Sequence, residues 1–191
     1  PVDKLHYVEL SEPTKKIYNE IVKHKVFEYD GFIVPMDSIM KERVTLHMLE
    51  SGVWVESIPK LNSVGKAIMA RTYYVMENTE KIDYILKTWG DSPDVVIMYN
   101  YKAEKIKLEK YFKHALLAQA TSNAEGKDYS MYKHLIILSQ DWSTFRHSQR
   151  RARQANMSRE EEIEVHFILV KDGLSDQVYE TVSINKENFV D

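Results

Sequence analysis

The stretch PDVVIMYN, residues 93–100, is apolar without interruption from residue 95 to residue 99. Two later stretches, HLIILSQ at 134–140 and EVHFILVK at 164–171, contain similar runs of Val, Ile and Leu. Strands that are apolar along their whole length are typical of a parallel sheet covered on both faces. Amphipathic helical patterns, such as ENTEKIDYILKTWG at 77–90, alternate with these strands. The sequence therefore predicts an α/β fold with an open, mainly parallel sheet flanked by helices.

The N-terminal part has a different pattern. HYVELSEPTKKIYNEIVKH at 6–24 predicts a short strand followed by a helix, and FEYDGFIV at 27–34 predicts a hairpin that turns at Asp-Gly. SIMKERVTLHMLESG at 38–52 predicts a second helix that ends at its glycine. Residues 53–76 show no clear pattern. We therefore expect a smaller, mostly helical N-terminal region at 1–76 and an α/β lobe at 77–191.

The chain has 191 residues, a formal charge of −3 and 43% hydrophobic residues. This composition is typical of a folded domain, because much apolar surface and little net charge allow a core to form. Cysteine is absent, which excludes disulfides, thiolate metal sites and cysteine nucleophiles and favours a reducing, cytoplasmic setting. The apolar runs are far shorter than the about 20 residues of a membrane-spanning helix, so we expect no membrane segment.

Arginines are concentrated in one short stretch. Five of the seven in the chain lie in FRHSQRRARQANMSR at 145–159, after a predicted buried strand. A guanidinium group is a planar fork of donors that matches phosphate oxygens, so the cluster fits phosphate recognition. The alternative is a solvated helix face balanced by the following glutamates. The position favours the first interpretation, because open parallel sheets bind ligands where their strands end.

A second polar segment, ATSNAEGKDYS at 120–130, follows another predicted strand. Gly126 allows the backbone to turn, Asp128 can orient neighbouring donors, and Thr121 and Ser122 can hydrogen-bond a sugar-phosphate chain. A plain surface loop would have the same composition, so this segment alone does not decide between the two.

Together these segments resemble motifs of superfamily-2 helicases and Swi/Snf-like translocases, including phage-type helicases. RHSQRRAR at 146–153 resembles the last conserved helicase motif, QxxGRxxR, with Arg150 and Arg153 at its two arginines. AEGKD resembles the preceding motif, with Gly126 and Asp128 at its GxD core, and DVVIMYNYKAE at 94–104 resembles the strand and loop that open the second RecA-like lobe. KDGLSDQVYETV at 171–182 resembles the family's closing segment.

The resemblance implies that the chain is the second lobe of a two-lobe, ATP-dependent helicase or translocase. It implies that Arg150 and Arg153 are catalytic, with Arg153 as the arginine finger, and that Gly126, Asp128 and Arg146 contact the nucleotide. It also implies nucleic-acid backbone contacts, to DNA or RNA, from a further set of residues. These are Asn100, Tyr101, Lys102, Thr121 and Ser122.

The sequence lacks the parts that bind ATP and Mg²⁺ in such enzymes. The nearest match to GxxxxGK[ST] has Lys60 at the first glycine and Ala67 at the hydroxyl that binds Mg²⁺, and there is no Asp-Glu pair. We expect both ligands to be bound mainly by a first RecA-like lobe in the same full-length chain. Alone, the present chain should be inactive.

A non-catalytic alternative remains open. Arg146 occupies the usual Gln or His position of the last motif, Gln149 replaces its glycine, and Ala155 and Asn156 replace a Gly and a Gln. A degenerate helicase-like lobe that binds nucleic acid or protein would tolerate these changes. The seven histidines lack the i, i+4 spacing of zinc ligands on a helix, so we interpret them as structural or surface residues and predict no metal site.

Overall fold

The computed structural model describes residues 3–120, 129–140 and 163–188. None of the helices within these ranges has the length and hydrophobicity that crossing a bilayer requires. The elements follow in the order β1 (Asp3–Val8), α1 (Glu12–His24), β2 (Val26–Tyr29), β3 (Phe32–Pro35), α2 (Ile39–Glu50), β4 (Val53–Leu61), β5 (Ala67–Val75), α3 (Glu80–Thr88), β6 (Val95–Tyr99), α4 (Lys102–Tyr111), β7 (Leu116–Gln119), β8 (His134–Ile137), β9 (Glu164–Val170) and α5 (Leu174–Asn188).

Five strands form one sheet in the order β1-β9-β8-β6-β7, and all four pairings are parallel. The interior strand β6, which lies between β8 and β7, is buried over its whole length, as its uninterrupted apolar sequence requires. The open parallel sheet flanked by helices is therefore confirmed.

Alternation along the strands divides the core between the two faces of the sheet. On β6, Val96 and Met98 belong to one apolar cluster, and Val95 and Ile97 belong to the other. Helices α1, α2 and α5 cover the first face, and α3 and α4 cover the second. Their most buried contributions are Ile21, Leu49 and Val178 on the first face and Ile85 and Leu108 on the second. Burying a side chain of this size contributes about 1.5–3 kcal/mol.

The N-terminal region contains both predicted helices and the predicted hairpin. Strands β2 and β3 pair antiparallel, and Asp30 and Gly31 have φ angles of 46° and 84° in the turn between them. Two further features were not predicted. Strands β4 and β5, of nine residues each, form an antiparallel hairpin across the segment without a clear pattern, and β1 is a strand of the large sheet. The boundary after residue 76 stays a prediction.

Lys107 on α4 fixes the base of the β4–β5 hairpin. Its buried Nζ donates to the carbonyl oxygens of Gly52 and Met76, both at 3.0 Å, and to that of Asn78. Burial lowers the pKa of Lys107 to about 8. Gly52 has a φ angle of 71°, and a Cβ there would collide with Lys107 Nζ and the Asn78 carbonyl oxygen. Only glycine fits this close approach.

Candidate functional site

The carboxyl ends of β6, β7 and β8 lie at one edge of the sheet, as parallel pairing requires. Asn100 follows β6, Tyr101 is the N-cap of α4, and Lys102 is the first residue of that helix. The amide of Ala120 after β7 donates to the carbonyl oxygen of Tyr99 at 2.9 Å. The structure therefore places the predicted residues 100–102 at the edge where open α/β sheets bind ligands.

Glu104, which is buried, organises this loop. Its Oε1 accepts hydrogen bonds from the backbone amides of Asn100 at 2.9 Å and Tyr101 at 2.8 Å. The hydroxyl of Ser139, after β8, donates to the same oxygen at 2.8 Å. A carboxylate oxygen that accepts three hydrogen bonds fixes the positions of the three donor groups, because hydrogen bonds to a charged acceptor are strong. Glu104 thus joins the loop after β6 to the segment after β8.

Two more buried charged side chains lie behind this edge. Lys81 on α3 donates through Nζ to the carbonyl oxygen of Leu138 at 2.6 Å, and Glu50 on α2 accepts from the amide and hydroxyl of Ser175. Burial lowers the pKa of Lys81 and raises the pKa of Glu50, and their mutual attraction opposes both shifts. Buried charges of this kind persist only when they are paired and hydrogen-bonded. Lys81 thus fixes the chain just after β8, and Glu50 fixes the first turn of α5.

A cleft of about 960 Å³ opens beside residues 100–102. Its other walls come from the N-terminal region, namely α2, the β2–β3 hairpin and the β4–β5 hairpin. Tyr101 donates to or accepts from His47 of α2, with 2.8 Å between the Tyr101 hydroxyl and His47 Nδ1. The volume is within the range of about 300–1,000 Å³ typical of ligand sites. The cleft is therefore large enough to receive a ligand.

The cleft is lined by more positive than negative side chains. Among the described residues of the lining, Lys41, Arg71 and Lys102 contribute cations and Glu56 contributes the one carboxylate. Lys41 lies 3.8 Å from Asp37, and Glu56 accepts a hydrogen bond from the Tyr74 hydroxyl. Neither of the other two cations forms an ion pair with a described residue. Three cations around an opening suit an anionic ligand such as a phosphate backbone.

Gln140 follows β8 at this edge and is the last described residue before position 163. The residue is buried, and neither its Nε2 nor its Oε1 has a hydrogen-bond partner within the described ranges. The second carboxylate oxygen of Glu104 is in the same condition. A buried polar group without a partner costs about 1–3 kcal/mol.

The other predicted site residues lie outside the described residues. Thr121, Ser122, Gly126 and Asp128 belong to 121–128, which follows β7 in the chain. Arg146, Arg150 and Arg153 belong to 141–162, which follows Gln140. Their roles stay predictions.

Lys41 and Arg71 were not among the predicted site residues. Both belong to the N-terminal region, and Arg71 lies on the hairpin that had no predicted structure. The turn of that hairpin carries a usable signal in the sequence, since Asn62 Oδ1 accepts from the amides of Val64 and Lys66 ahead of β5. An Asn side chain that mimics a backbone turn, followed by Gly65, is typical of such a connection.

No family model matches the chain, and no curated protein matches it in sequence. A solved structure, described as the crystal structure of the C-terminal part of the Fun30 ATPase domain, matches with a probability of 1.00 and a TM-score of 0.60. The match covers 94% of this chain and 88% of that chain at 12% sequence identity. A likeness at this identity shows the fold and leaves the function to be argued from the site. The chain has the α/β fold of a RecA-like lobe.

Proposed function

We propose that the chain is the second lobe of an ATP-dependent DNA helicase or translocase, and that a first lobe completes ATP hydrolysis. Two features support the proposal. They are the motif-like segments at 94–104, 124–128 and 146–153, and the RecA-like fold, which resembles that of an ATPase C-terminal part over most of the chain.

The arginines would act on ATP bound by the first lobe, which would also hold Mg²⁺. Arg150 would contact a phosphate in the ground state. Arg153 would stabilise the charge that develops on the transferring γ-phosphoryl group. An arginine finger of this kind contributes on the order of 10³–10⁵ in rate in other phosphoryl-transfer enzymes. Gly126, Asp128 and Arg146 would position the nucleotide.

The cleft beside residues 100–102 would grip the nucleic-acid backbone. Lys102 would neutralise a phosphate, while Asn100 and Tyr101 would contribute hydrogen bonds that position the strand. Thr121 and Ser122 would extend this contact along the same edge. When the two lobes close on ATP and open after hydrolysis, this lobe would move relative to the other along the bound strand.

The observation that carries the proposal is the position of the loop at 100–102. It follows the buried strand β6, it is fixed by Glu104, and it lies on a cleft that Lys41 and Arg71 make more positive. This combination of a fixed loop and a local positive surface meets the needs of backbone binding. A net charge of −3 does not oppose it, because a local groove is sufficient for such a contact.

The decisive experiment uses the two-lobe protein that contains this chain. Arg153→Ala should abolish DNA-stimulated ATP hydrolysis, because the transition-state charge loses its partner, and should leave ATP binding largely unchanged. Steady-state ATPase assays and nucleotide-binding titrations measure the two effects. Arg151→Ala, next to the motif arginine, is the matched control and should retain most of the activity. Full turnover in Arg153→Ala would contradict the finger role.

A second function is favoured by the departures from the helicase pattern at Arg146, Gln149, Ala155 and Asn156. On this alternative the lobe is non-catalytic and binds nucleic acid or protein. The same assay separates the two functions. A two-lobe protein that binds DNA but hydrolyses no ATP would support the alternative.

A further inference from the structure

Three histidines and a glutamate meet at the amino end of the sheet, at the opposite edge from the cleft. His134 begins β8 and lies directly opposite Glu164, which begins β9, while His166 is two residues further along β9. Side chains two residues apart on a strand point to the same face. His6 of the neighbouring strand β1 contacts His166 from the other side. Three adjacent parallel strands therefore contribute to one cluster.

The three inner atoms of this cluster form a small triangle. Glu164 Oε2 lies 3.0 Å from His134 Nδ1 and 3.2 Å from His166 Nε2, and the two nitrogens are 3.2 Å apart. Ligands bonded at about 2.0–2.1 Å to a tetrahedral Zn²⁺ lie about 3.3 Å from one another. The triangle thus has nearly the dimensions of one face of a zinc coordination tetrahedron.

The surroundings orient the ligands. His166 Nδ1 is 2.8 Å from His6 Nε2, and His6 Nδ1 is 2.6 Å from the Tyr84 hydroxyl. If His166 Nδ1 donates to His6 and His6 Nδ1 donates to Tyr84, then His166 Nε2 keeps its lone pair directed into the triangle. Metal-bound histidines almost always donate their other N–H in this way. Lys4 Nζ pairs with Glu164 Oε1 at 2.8 Å and leaves Oε2 to the triangle.

We propose that His134, Glu164 and His166 bind a divalent transition-metal ion, with Zn²⁺ as the preferred occupant. Imidazole nitrogens and a carboxylate oxygen suit Zn²⁺, and the part of Glu164 that is exposed leaves the fourth position to water. His6 is the positioning residue of the site. The bound ion joins β8 and β9 and, through His6, also holds β1. This proposal is independent of the helicase function.

Periodicity explains why the sequence did not predict this site. Glu164 and His166 have the i, i+2 spacing of one face of a strand, whereas the i, i+4 spacing applies to a helix. His134 and His6 approach only through strand pairing with distant parts of the chain.

The test is a titration of the chelator-treated, 191-residue chain with Zn²⁺ by calorimetry. We expect one equivalent to bind and the thermal unfolding midpoint to rise, because an ion that binds only the folded state stabilises it. Co²⁺ should give the intense visible bands of four-coordinate cobalt. Absence of Zn²⁺ binding, or cobalt bands typical of six-coordinate aqueous ions, would overturn the proposal.

Variants identify the ligands. Glu164→Gln, on a partly exposed side chain, and His134→Ala should each lose the single equivalent of bound metal while circular dichroism shows a folded chain. His6→Phe should weaken binding about 10–100-fold and keep its stoichiometry. His24→Ala, which removes an exposed histidine of α1, is the control and should bind Zn²⁺ unchanged. Unchanged affinity in both Glu164→Gln and His134→Ala, or an equal loss in His24→Ala, would refute the assignment.

Discussion

Lys102 and Glu104 occupy the same helical turn and have opposite environments. Glu104 is buried and accepts hydrogen bonds from the loop amides, whereas Lys102 is exposed at the mouth of the cleft. One side chain determines the shape of the loop, and the other is available to a ligand. Because Glu104 fixes the loop that leads into α4, the backbone of the exposed Lys102 has a defined position relative to Lys41 and Arg71.

Lys102→Ala should weaken binding to DNA and reduce the slope of log K against log salt concentration by about one, because one phosphate contact is lost. Fluorescence anisotropy at several salt concentrations measures both quantities. Lys105→Ala is the matched control, since Lys105 is exposed one turn further along α4 and is absent from the cleft lining. A slope that is unaltered in Lys102→Ala would place the nucleic acid elsewhere.

The position of Asn100, Tyr101 and Lys102 could be predicted from the sequence, because they directly follow an apolar strand and the residues after a strand lie at the edge of the sheet. Lys41 and Arg71 approach the same cleft from elements far away in the chain. Their side chains carry no local sign of that proximity. The proposed zinc site of His134, Glu164 and His166 was not predicted for the same reason, because it depends on the pairing of β8 with β9.

At the level of elements, α4 joins the N-terminal region to the sheet. Its buried face contains Leu108, which packs in the core, and Lys107. Lys107 Nζ donates hydrogen bonds to three backbone carbonyl oxygens of residues that flank the β4–β5 hairpin. The hairpin itself was difficult to predict, because most of its side chains are exposed and alternation is then a weak signal. Strands β6, β8 and β9 were predictable because burial leaves little choice of residue.

Lys107→Met should destabilise the chain by about 1–3 kcal/mol, because it leaves the hairpin carbonyls without their donor. The folded-state pKa of about 8 is below the ordinary 10.5, so the unfolded state binds more protons between these values and this group adds stability as pH rises. Urea unfolding at pH 7.5 and pH 9.5 measures both effects.

Lys110→Met, an exposed change on the same helix, is the control for Lys107→Met and should stay within about 0.5 kcal/mol of the unmodified chain at both pH values. The pH-dependent increment should be smaller in Lys107→Met than in Lys110→Met. Equal stability of the two variants would show that Lys107 does not hold the hairpin.

On the scale of the whole molecule, one apolar cluster contains side chains from both predicted parts of the chain. Ile21 and Phe27 of the N-terminal region pack in the same cluster as Val96 and Phe167 of the sheet. The composition of either part alone does not indicate this joint core. The predicted boundary after residue 76 therefore divides the sequence pattern more clearly than it divides the packing.

The 191-residue chain alone should hydrolyse no ATP in the presence of Mg²⁺, because Lys60 and Ala67 replace essential positions of the phosphate-binding loop and an Asp-Glu pair is absent. A coupled assay for ADP release measures the rate against a buffer blank. The chain with Arg153→Ala should give the same blank rate. Turnover that this substitution removes would show that the chain is a complete ATPase.

The pairing of β1 with β9 has a consequence for how the protein is made. Strand β1 leaves the ribosome before its partner β9, whose residues follow about 160 positions later, as in the contact between Lys4 and Glu164. Until then, β1 lacks its partner strand, and forming such a distant contact is slow. Nascent chains that stall before residue 164 should therefore expose an unpaired β1 and depend on chaperones for solubility.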